Sequence, residues 1–197
     1  VAKVLADAKE ASVSGVKFSE PEVDIEQLKS WKDGVVKKLT GGLAMMAKQR
    51  KVNIVHGYGE FSGANAITVV NDAGESSTVK FKHCIIAAGS KPVKLPFIPE
   101  DPRIFDSTGA LQLEHTQGDM LVLGGGIIGL EMATVYDALG VNVSVVEMMD
   151  QLVPGADKDL VAPYHKRIKK TYDAIMLETS VTKVEAKDDG LWVTFDG

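Results

Sequence analysis

Cysteine and histidine, the side chains that form disulfides and bind transition metals, are scarce in this sequence. Its 197 residues include a single cysteine, Cys84, which excludes an internal disulfide and favours a reducing compartment such as the cytoplasm. The four histidines lack the close spacing of metal ligands: His56, His83, His115 and His165. We therefore expect no metal centre in the chain.

A basic excess and long apolar runs are also missing. The chain has 22 Lys and Arg against 27 Asp and Glu, a formal net charge of -5 and a pI near 5.4. Nucleic acids and anionic membranes select basic surfaces, so this balance argues against both as partners. No apolar run approaches the roughly 20 residues of a membrane helix. Lys3 and Asp7 interrupt the first residues, so we expect no secretion signal there.

The sequence has no initiator methionine, and its last predicted strand runs almost to its end. Val1 is already part of a helical pattern, and Gly197 directly follows an alternating, strand-like run. We therefore expect the chain to be an internal fragment of a longer protein.

The first half of the chain predicts two helices followed by a β-rich region. Asp24 is suited to cap a helix, and apolar residues then recur every three or four positions from Ile25 to Met46. This pattern predicts a long helix that ends near residues 48–51, after a shorter one over residues 1–11. Strands are expected at residues 52–56, 66–70 and 78–81, and the unbroken apolar run 84–88 is typical of a strand buried in a parallel sheet.

The second half alternates strands and helices, the rhythm of a parallel sheet covered by helices. A proline-rich connector at residues 92–102 precedes it. The expected elements are strands at residues 120–123, 141–146 and 175–177, helices at 128–139 and 157–172, and a hairpin of 181–186 with 191–195. The sequence therefore predicts an α/β fold with a Rossmann-like second half.

A glycine-rich turn, Gly124-Gly125-Gly126-Ile127-Ile128-Gly129, lies between the expected strand 120–123 and the next helix. In a strand–helix–strand unit of about 30 residues, this G-x-G-x-x-G spacing indicates a dinucleotide-binding fingerprint. Gly124 permits the tight turn, Gly126 lets the backbone approach a pyrophosphate, and Gly129 lets helix and strand pack closely. The helix N-terminus then offers unpaired N–H groups to the phosphates.

Glu147 stands at the end of the following strand, about 20 residues past the turn. A carboxylate there accepts hydrogen bonds from adenosine ribose hydroxyls and repels a 2′-phosphate, which favours NAD over NADP. The alternative is a glycine-rich turn that binds nothing, with Glu147 merely solvated. Glu131, in the first turn of the helix, has a structural interpretation as well, because a carboxylate there offsets the helix dipole.

Four segments of the sequence carry a family resemblance: Thr40-Gly-Gly-Leu-Ala44, Cys84-Ile-Ile-Ala-Ala-Gly-Ser90, Leu95-Pro-Phe-Ile-Pro99 and Gly124-Gly-Gly-Ile-Ile-Gly-Leu-Glu-Met132. Together they resemble the dihydrolipoamide dehydrogenases, most closely the proteobacterial type, of the pyridine nucleotide-disulfide oxidoreductase family. The resemblance runs the whole length of the chain and implies an NAD domain inserted into an FAD domain. It assigns residues 1–113 to the C-terminal part of the first FAD-binding segment and residues 114–197 to a truncated NAD domain.

The resemblance implies two sets of cofactor-binding residues. The FAD set is Gly57 and Gly59, of which Gly59 is the likelier adenine contact, together with Ala88, Gly89 and Ser90 near the flavin nucleotide. Ala88 replaces the family's usual threonine, which removes a hydroxyl but keeps the backbone path. The NAD set is Gly124, Gly125, Gly126, Ile127, Ile128, Gly129, Glu131, Glu147 and Val181. In the family, the Val181 position lines the adenine pocket and the Glu131 position pairs with a lysine beside the flavin.

The resemblance also implies a chemistry whose catalytic residues lie outside this chain. Electrons would pass from dihydrolipoamide through a redox disulfide and FAD to NAD⁺, with the cofactors carrying the redox steps. The disulfide, the first FAD glycine motif and a His-Glu dyad should all lie beyond these residues, so the segment alone should be inactive. Cys84 does not replace the disulfide, because a thiol in a buried strand acts as a small apolar side chain. The implied partners are a lipoyl domain of a 2-oxo acid dehydrogenase complex and a second copy in a homodimer.

Two other functions fit parts of the sequence. One is another disulfide reductase of the same architecture, of the mercuric or glutathione type. Glu147 argues against the NADP-using members, which require cationic residues at that position. The other is a non-catalytic NAD-binding module that uses no flavin.

Overall fold

The computed structural model describes residues 1–19 and 21–197 and divides the chain into two compact units. The smaller unit comprises Ser30–Lys91, and the larger unit combines Val1–Lys29 with Pro92–Gly197. Within the described ranges, no helix combines the length and the apolar character required to cross a membrane.

The described residues form five α-helices and eight β-strands. The helices are α1 (Ala2–Ala11), α2 (Ile25–Gln49), α3 (Ser107–Ala110), α4 (Ile127–Ala138) and α5 (Lys158–Ile168). The strands are β1 (Tyr58–Gly63), β2 (Ala66–Val70), β3 (Ser76–Lys80), β4 (Asp119–Leu123), β5 (Asn142–Val146), β6 (Ala174–Met176), β7 (Ser180–Lys187) and β8 (Gly190–Asp196).

The long helix α2 begins and ends where the sequence predicts. The Asp24 carboxylate accepts a hydrogen bond from the backbone N–H of Gln27 at 2.9 Å, which satisfies one of the free donors of the first turn. Ile25 and Leu28 pack against the core of the larger unit. The rest of the apolar stripe is largely exposed, with Trp31 at 65% of its full accessibility.

Strands β1, β2 and β3 of the smaller unit form an antiparallel meander in chain order. The turn between β2 and β3 is closed by Asn71, whose side-chain oxygen accepts from the backbone N–H groups of Ala73 and Glu75. This Asx-type turn explains why the chain reverses here. The two strands expected at residues 66–70 and 78–81 are thereby confirmed.

Two other strands expected in the smaller unit are not formed. Residues 52–56 are irregular and exposed, and the strand that follows begins only at Tyr58. Residues 84–88 are also irregular, Cys84 is exposed, and Ile85 retains 92% of its accessibility. Both predictions were wrong because a strand exists only through pairing with a neighbour, and the described residues place no strand beside either segment.

The larger unit contains the parallel sheet that the second half of the sequence predicts. Its order is β4-β5-β6, with Leu121 paired to Ser144 and Val145 to Ile175, while β7 and β8 form a separate antiparallel hairpin. Helix α4 connects β4 to β5, as a parallel pair requires. Helix α5 ends at Ile168, short of the expected residue 172, because the chain tightens into turns with bonds such as Thr171 N–H to the Ile168 carbonyl.

The core of the larger unit lies between the sheet and α4. Val143 and Val145 on the central strand β5 have no exposed surface, and neither do Ala133 and Tyr136 on α4. A helix and a sheet that bury their apolar faces against each other form one of the stable layered arrangements. This packing fixes where the β4–α4 turn and the end of β5 meet.

Candidate functional site

The turn between β4 and α4 is formed by the glycine-rich segment. Gly124 has a φ of +107°, a backbone conformation that favours glycine, and its N–H donates to the Val146 carbonyl oxygen at 2.8 Å. This bond continues the pairing of β4 with β5 one residue past the strand. The tight turn expected of Gly124 is therefore confirmed.

Gly129 packs directly against the strand that precedes it. A Cβ atom built there would collide with the Gly124 carbonyl oxygen and lie 3.1 Å from the Val122 side chain. Helix α4 therefore approaches β4 as closely as it does only because residue 129 has no side chain. Its expected packing role is confirmed, whereas its part in nucleotide binding stays a prediction.

Gly126 is the N-cap of α4 and faces open space. A Cβ atom built on it would meet no other atom within 4 Å, and among the described residues no side chain caps the helix. The first backbone N–H groups of α4 therefore remain available at its positive end. This arrangement suits an anionic group such as a pyrophosphate.

Glu147 lies directly after β5, and each of its two carboxylate oxygens accepts a hydrogen bond from a backbone N–H group. One carboxylate oxygen accepts from the Gly125 N–H at 2.8 Å, and the other accepts from the Met149 N–H, also at 2.8 Å. Its own N–H donates to the Met176 carbonyl, and its carbonyl accepts from the Thr179 N–H. Only 7% of Glu147 is exposed. The structure thus brings this carboxylate to the glycine turn, as a dinucleotide site requires.

A shallow groove of about 420 Å³ runs along α4 beside this turn. It is lined mainly by apolar side chains, and Glu131 contributes a carboxylate to its wall; the lining residues are Ile127, Leu130, Glu131, Thr134, Val153 and Tyr164. Ile127 and Ile128 are exposed at the start of the helix, at 65% and 60%. Glu131 is exposed as well.

Tyr172 contacts Thr134, one of the residues that line this groove. Its hydroxyl is 3.3 Å from the Thr134 hydroxyl oxygen. Burial raises the pKa of Tyr172 to about 12, and the Thr134 hydroxyl offsets part of that effect. Burial also raises the pKa of the Asp137 carboxyl, further along α4. Tyr172 therefore stays neutral near pH 7.

Val181, the remaining residue of the expected NAD set, lies on β7 opposite Phe195. A bulge follows it, and the side chain is half-buried. The segment just before β7 is tied to the Glu147 region, because Glu178 and Thr179 donate to the Met149 and Glu147 carbonyls. Val181 therefore follows two residues after a segment that is hydrogen-bonded to the Glu147 backbone.

The residues of the expected FAD set lie in the smaller unit. Gly57 has a φ of +146°, and a Cβ atom there would collide with the Val70 carbonyl oxygen. A Cβ atom on Gly59 would lie 3.2 Å from the Ile67 side chain. Both glycines therefore have a packing role against β2. Ala88, Gly89 and Ser90 lie in the irregular exposed segment.

The described part of the chain, residues 1–19 and 21–197, contains no group of three histidine, cysteine or acidic side chains that could hold a metal ion. His115 has a structural contact instead, because its ring stacks on Phe105 with centroids 5.4 Å apart.

Comparison with known proteins assigns this arrangement to a family. The pyridine nucleotide-disulphide oxidoreductase family matches residues 2–196. The chain belongs to that family. The chain is 57% identical over 198 residues to the dihydrolipoyl dehydrogenase of Vibrio cholerae, and 56% identical over the same length to that of Vibrio parahaemolyticus. Each match covers 100% of this chain and 41% of the relative, so the chain spans about two fifths of their length.

A solved structure of the same fold supports the architecture of this pyridine nucleotide-disulphide oxidoreductase segment. LpdA from Mycobacterium tuberculosis superimposes with a TM-score of 0.85 at 19% sequence identity. The superposition covers 98% of this chain and 43% of that one. At this identity the likeness concerns the fold alone.

The structure adds to the candidate site one residue that the sequence analysis missed. Leu152 has no exposed surface, and its side chain lies against Gly125 in the glycine turn. The three consecutive glycines indicated that another part of the chain packs closely against this turn. The sequence did not identify Leu152 as that part, because Leu152 reaches the turn only when the segment after Glu147 folds back.

Proposed function

We propose that the full-length protein containing this chain is a dihydrolipoamide dehydrogenase. It would pass electrons from dihydrolipoamide through a redox disulfide and FAD to NAD⁺. The observation that carries the proposal is the Glu147 carboxylate, which accepts a hydrogen bond from Gly125 in the glycine turn, next to a helix N-terminus that no side chain caps. The similarity to dihydrolipoyl dehydrogenases over the whole chain supports the same function.

The nicotinamide dinucleotide is the cofactor that the larger unit fits. The open space at Gly126 leaves room for a pyrophosphate beside the free N–H groups of α4. Glu147 accepts one protein hydrogen bond on each carboxylate oxygen, which leaves further acceptor sites for ribose hydroxyls, since a carboxylate offers about four in total. We propose that Val181 lies at the adenine and that Ile127, Ile128 and Glu131 also contact the dinucleotide.

We assign the FAD contacts to the smaller unit. Gly57 and Gly59 are proposed to approach the adenine, and Ala88, Gly89 and Ser90 to pass near the flavin nucleotide. When bound, FAD supplies the two-electron chemistry between the disulfide and NAD⁺. Residues 1–113 are proposed as part of the FAD domain and residues 114–197 as part of the NAD domain.

We propose a lipoyl domain of a 2-oxo acid dehydrogenase complex as the partner, a homodimer as the assembly and the cytoplasm as the location. The acidic balance of the chain and its single cysteine agree with that setting. A carboxylate rather than a cation at residue 147 disfavours the NADP-using reductases of the same architecture.

The proposed function is tested by purifying the full-length protein and recording its flavin absorbance and its reduction of NAD⁺ by dihydrolipoamide. We expect a yellow protein that reduces NAD⁺ and uses NADP⁺ poorly. The 197-residue chain alone is the matched comparison and should show neither flavin nor activity. A colourless full-length protein, or one that uses NADP⁺ equally well, would contradict the proposal.

A further inference from the structure

Gly125 links the glycine turn to the segment that follows Glu147. Its N–H donates to a Glu147 carboxylate oxygen at 2.8 Å, and its carbonyl accepts from the Val153 N–H at 2.8 Å. Both backbone polar groups of Gly125 are therefore bonded to the chain beyond β5. The position of the turn and that of residues 148–153 depend on each other.

Leu152 fills the space that a side chain at residue 125 would occupy. A Cβ atom built on Gly125 would lie 2.5 Å from the Leu152 Cδ2 atom and 3.1 Å from the Glu147 Cβ atom. Leu152 is fully buried. The two side chains therefore crowd the same point of the glycine turn, and Leu152 sets how near the following segment comes to it.

The segment is also held in a strained conformation next to this contact. Val153 has a φ of +48°, which a β-branched residue rarely adopts. Its N–H bond to Gly125 and its carbonyl, which accepts from the Ala156 N–H at 3.1 Å, fix it there. Such strain persists only where the surrounding packing imposes it.

The orientation of the Glu147 carboxylate follows from these contacts. Its two oxygens are bound by N–H groups from two different loops, Gly125 before α4 and Met149 after β5. If the two loops move apart, the carboxylate loses the hydrogen bond from one loop or rotates toward the N–H group of the other loop. The distance between the loops therefore determines which oxygen lone pairs face outward.

We propose that Leu152, packed against Gly125, is a positioning residue that aims the Glu147 carboxylate at the adenosine ribose and so determines the affinity for NAD⁺. This inference rests on the proposed function. Leu152 does not touch the nucleotide in this scheme. It acts through the side chain of Glu147.

The test compares Leu152→Ala with wild type in the full-length protein. We expect the dissociation constant of NAD⁺, measured by calorimetry, and the KM for NAD⁺ both to rise about tenfold while kcat changes less than about twofold, because only dinucleotide binding is affected. Leu152→Met, which restores the volume, should recover most of the affinity. Val143→Ala, on β5, is the matched control, because it truncates an equally buried core residue away from the turn. It should leave the KM unchanged.

A second substrate separates positioning from general loosening of the fold. With an NAD⁺ analogue that lacks the adenosine 2′-hydroxyl, the difference between Leu152→Ala and wild type should shrink to less than about threefold, because one partner of the carboxylate is already missing. An undiminished difference would overturn the inference. If Leu152→Ala does not fold, Leu152→Val makes the same comparison and should show about a threefold rise in KM.

Glu147→Gln distinguishes the failure of this inference from the failure of the proposed function. If that variant raises the KM for NAD⁺ and Leu152→Ala does not, the positioning role is wrong and the NAD site stands. If the wild-type protein shows no dependence on NAD⁺, both are wrong.

Discussion

The phenol hydroxyl of Tyr136 donates a hydrogen bond to the carbonyl oxygen of Ala110 at 2.8 Å, and the Tyr136 side chain is fully buried. Tyr136 lies on α4, which the glycine turn opens, whereas Ala110 closes the short helix α3. Burial, with a smaller contribution from Glu114, raises the pKa of Tyr136 above its usual value. The hydroxyl therefore stays protonated near neutral pH, and its hydrogen bond joins α3 to α4.

Tyr136→Phe should weaken this junction without creating a cavity. The variant leaves the Ala110 carbonyl without its partner in a buried setting, which costs about 1–3 kcal/mol. Native-state hydrogen exchange of the α4 amides measures this loss as faster local opening. Tyr58→Phe is the matched control, because it removes the same hydroxyl from a residue that is 79% exposed. Equal exchange rates in wild type and Tyr136→Phe would show that the bond does not stabilise α4.

Arg103, the residue directly after the connector, binds the β7–β8 hairpin. Its guanidinium binds both carboxylate oxygens of Asp101, at 2.8 and 2.9 Å, and donates to the Lys187 carbonyl at 3.0 Å. The hydrogen bonds from the Arg103 side chain, and then that from its backbone, lower the pKa of Asp101 to about 2. Stability linked to a lowered carboxyl pKa is fully present above the unfolded value, about 4, and is lost as the pH falls toward 2.

Asp101→Asn should therefore lower the urea midpoint of the full-length protein at pH 5, and this difference from wild type should shrink as the pH falls from 4 toward 2. The reason is that the unfolded chain binds a proton on Asp101 near pH 4, whereas the folded protein keeps this carboxylate ionised until the pH approaches 2, so the stability linked to the pair is lost across that window. Asp72→Asn, on the exposed turn between β2 and β3, controls for the removal of a carboxyl group. A difference that stays constant from pH 5 to pH 2.5 would contradict the role of the pair.

The features that the sequence predicted correctly are those set by neighbouring residues. The Asp24 cap and the turn at Gly124 depend on a few consecutive positions, and both are present. The β4–α4–β5 unit was predictable for a similar reason, because its strands and helix carry their own hydrophobic periods. Residue patterns of this kind define an element without knowledge of what packs on it.

The features that the sequence could not give depend on distant partners. Residues 84–88 are apolar enough for a buried strand, yet pairing decides whether a strand forms. The contact of Leu152 with Gly125 requires the chain to fold back after β5, with Val153 in a conformation that its residue type disfavours. No local sequence pattern predicts a positive φ at a valine. The candidate site was therefore predictable in its glycines and Glu147, and not in the residue that packs behind them.

Gly126→Ala and Gly129→Ala should separate ligand binding from folding. At Gly129 the new methyl group meets the Gly124 carbonyl and Val122, so we expect an overpacking cost of about 1–3 kcal/mol. At Gly126 it meets no atom within 4 Å, so the stability loss should stay below about 1 kcal/mol, the scale of an N-cap change.

The same Gly126→Ala variant should raise the KM for NAD⁺ by about tenfold, equivalent to about 1.4 kcal/mol, because the methyl group occupies the space proposed for the pyrophosphate. Thermal unfolding and steady-state kinetics on the full-length protein measure the two effects. Gly129→Ala controls for the effect of a loss of stability on the KM, and Gly126→Ala controls for the effect of an added methyl group on stability. An unchanged KM in Gly126→Ala would place the pyrophosphate elsewhere.

Glu147→Arg should shift cofactor preference toward NADP(H). The substitution removes the acceptor for ribose hydroxyls and places a guanidinium where a 2′-phosphate would lie, which favours the phosphorylated cofactor. We expect the ratio of kcat/KM for NAD⁺ to that for NADP⁺ to fall by at least about tenfold, or about 1.4 kcal/mol. Glu10→Arg, on the exposed face of α1, makes the same change in net charge and should leave the ratio as it is. Steady-state kinetics with both cofactors gives the ratio directly, and equal values in wild type and Glu147→Arg would mean that another residue selects the cofactor.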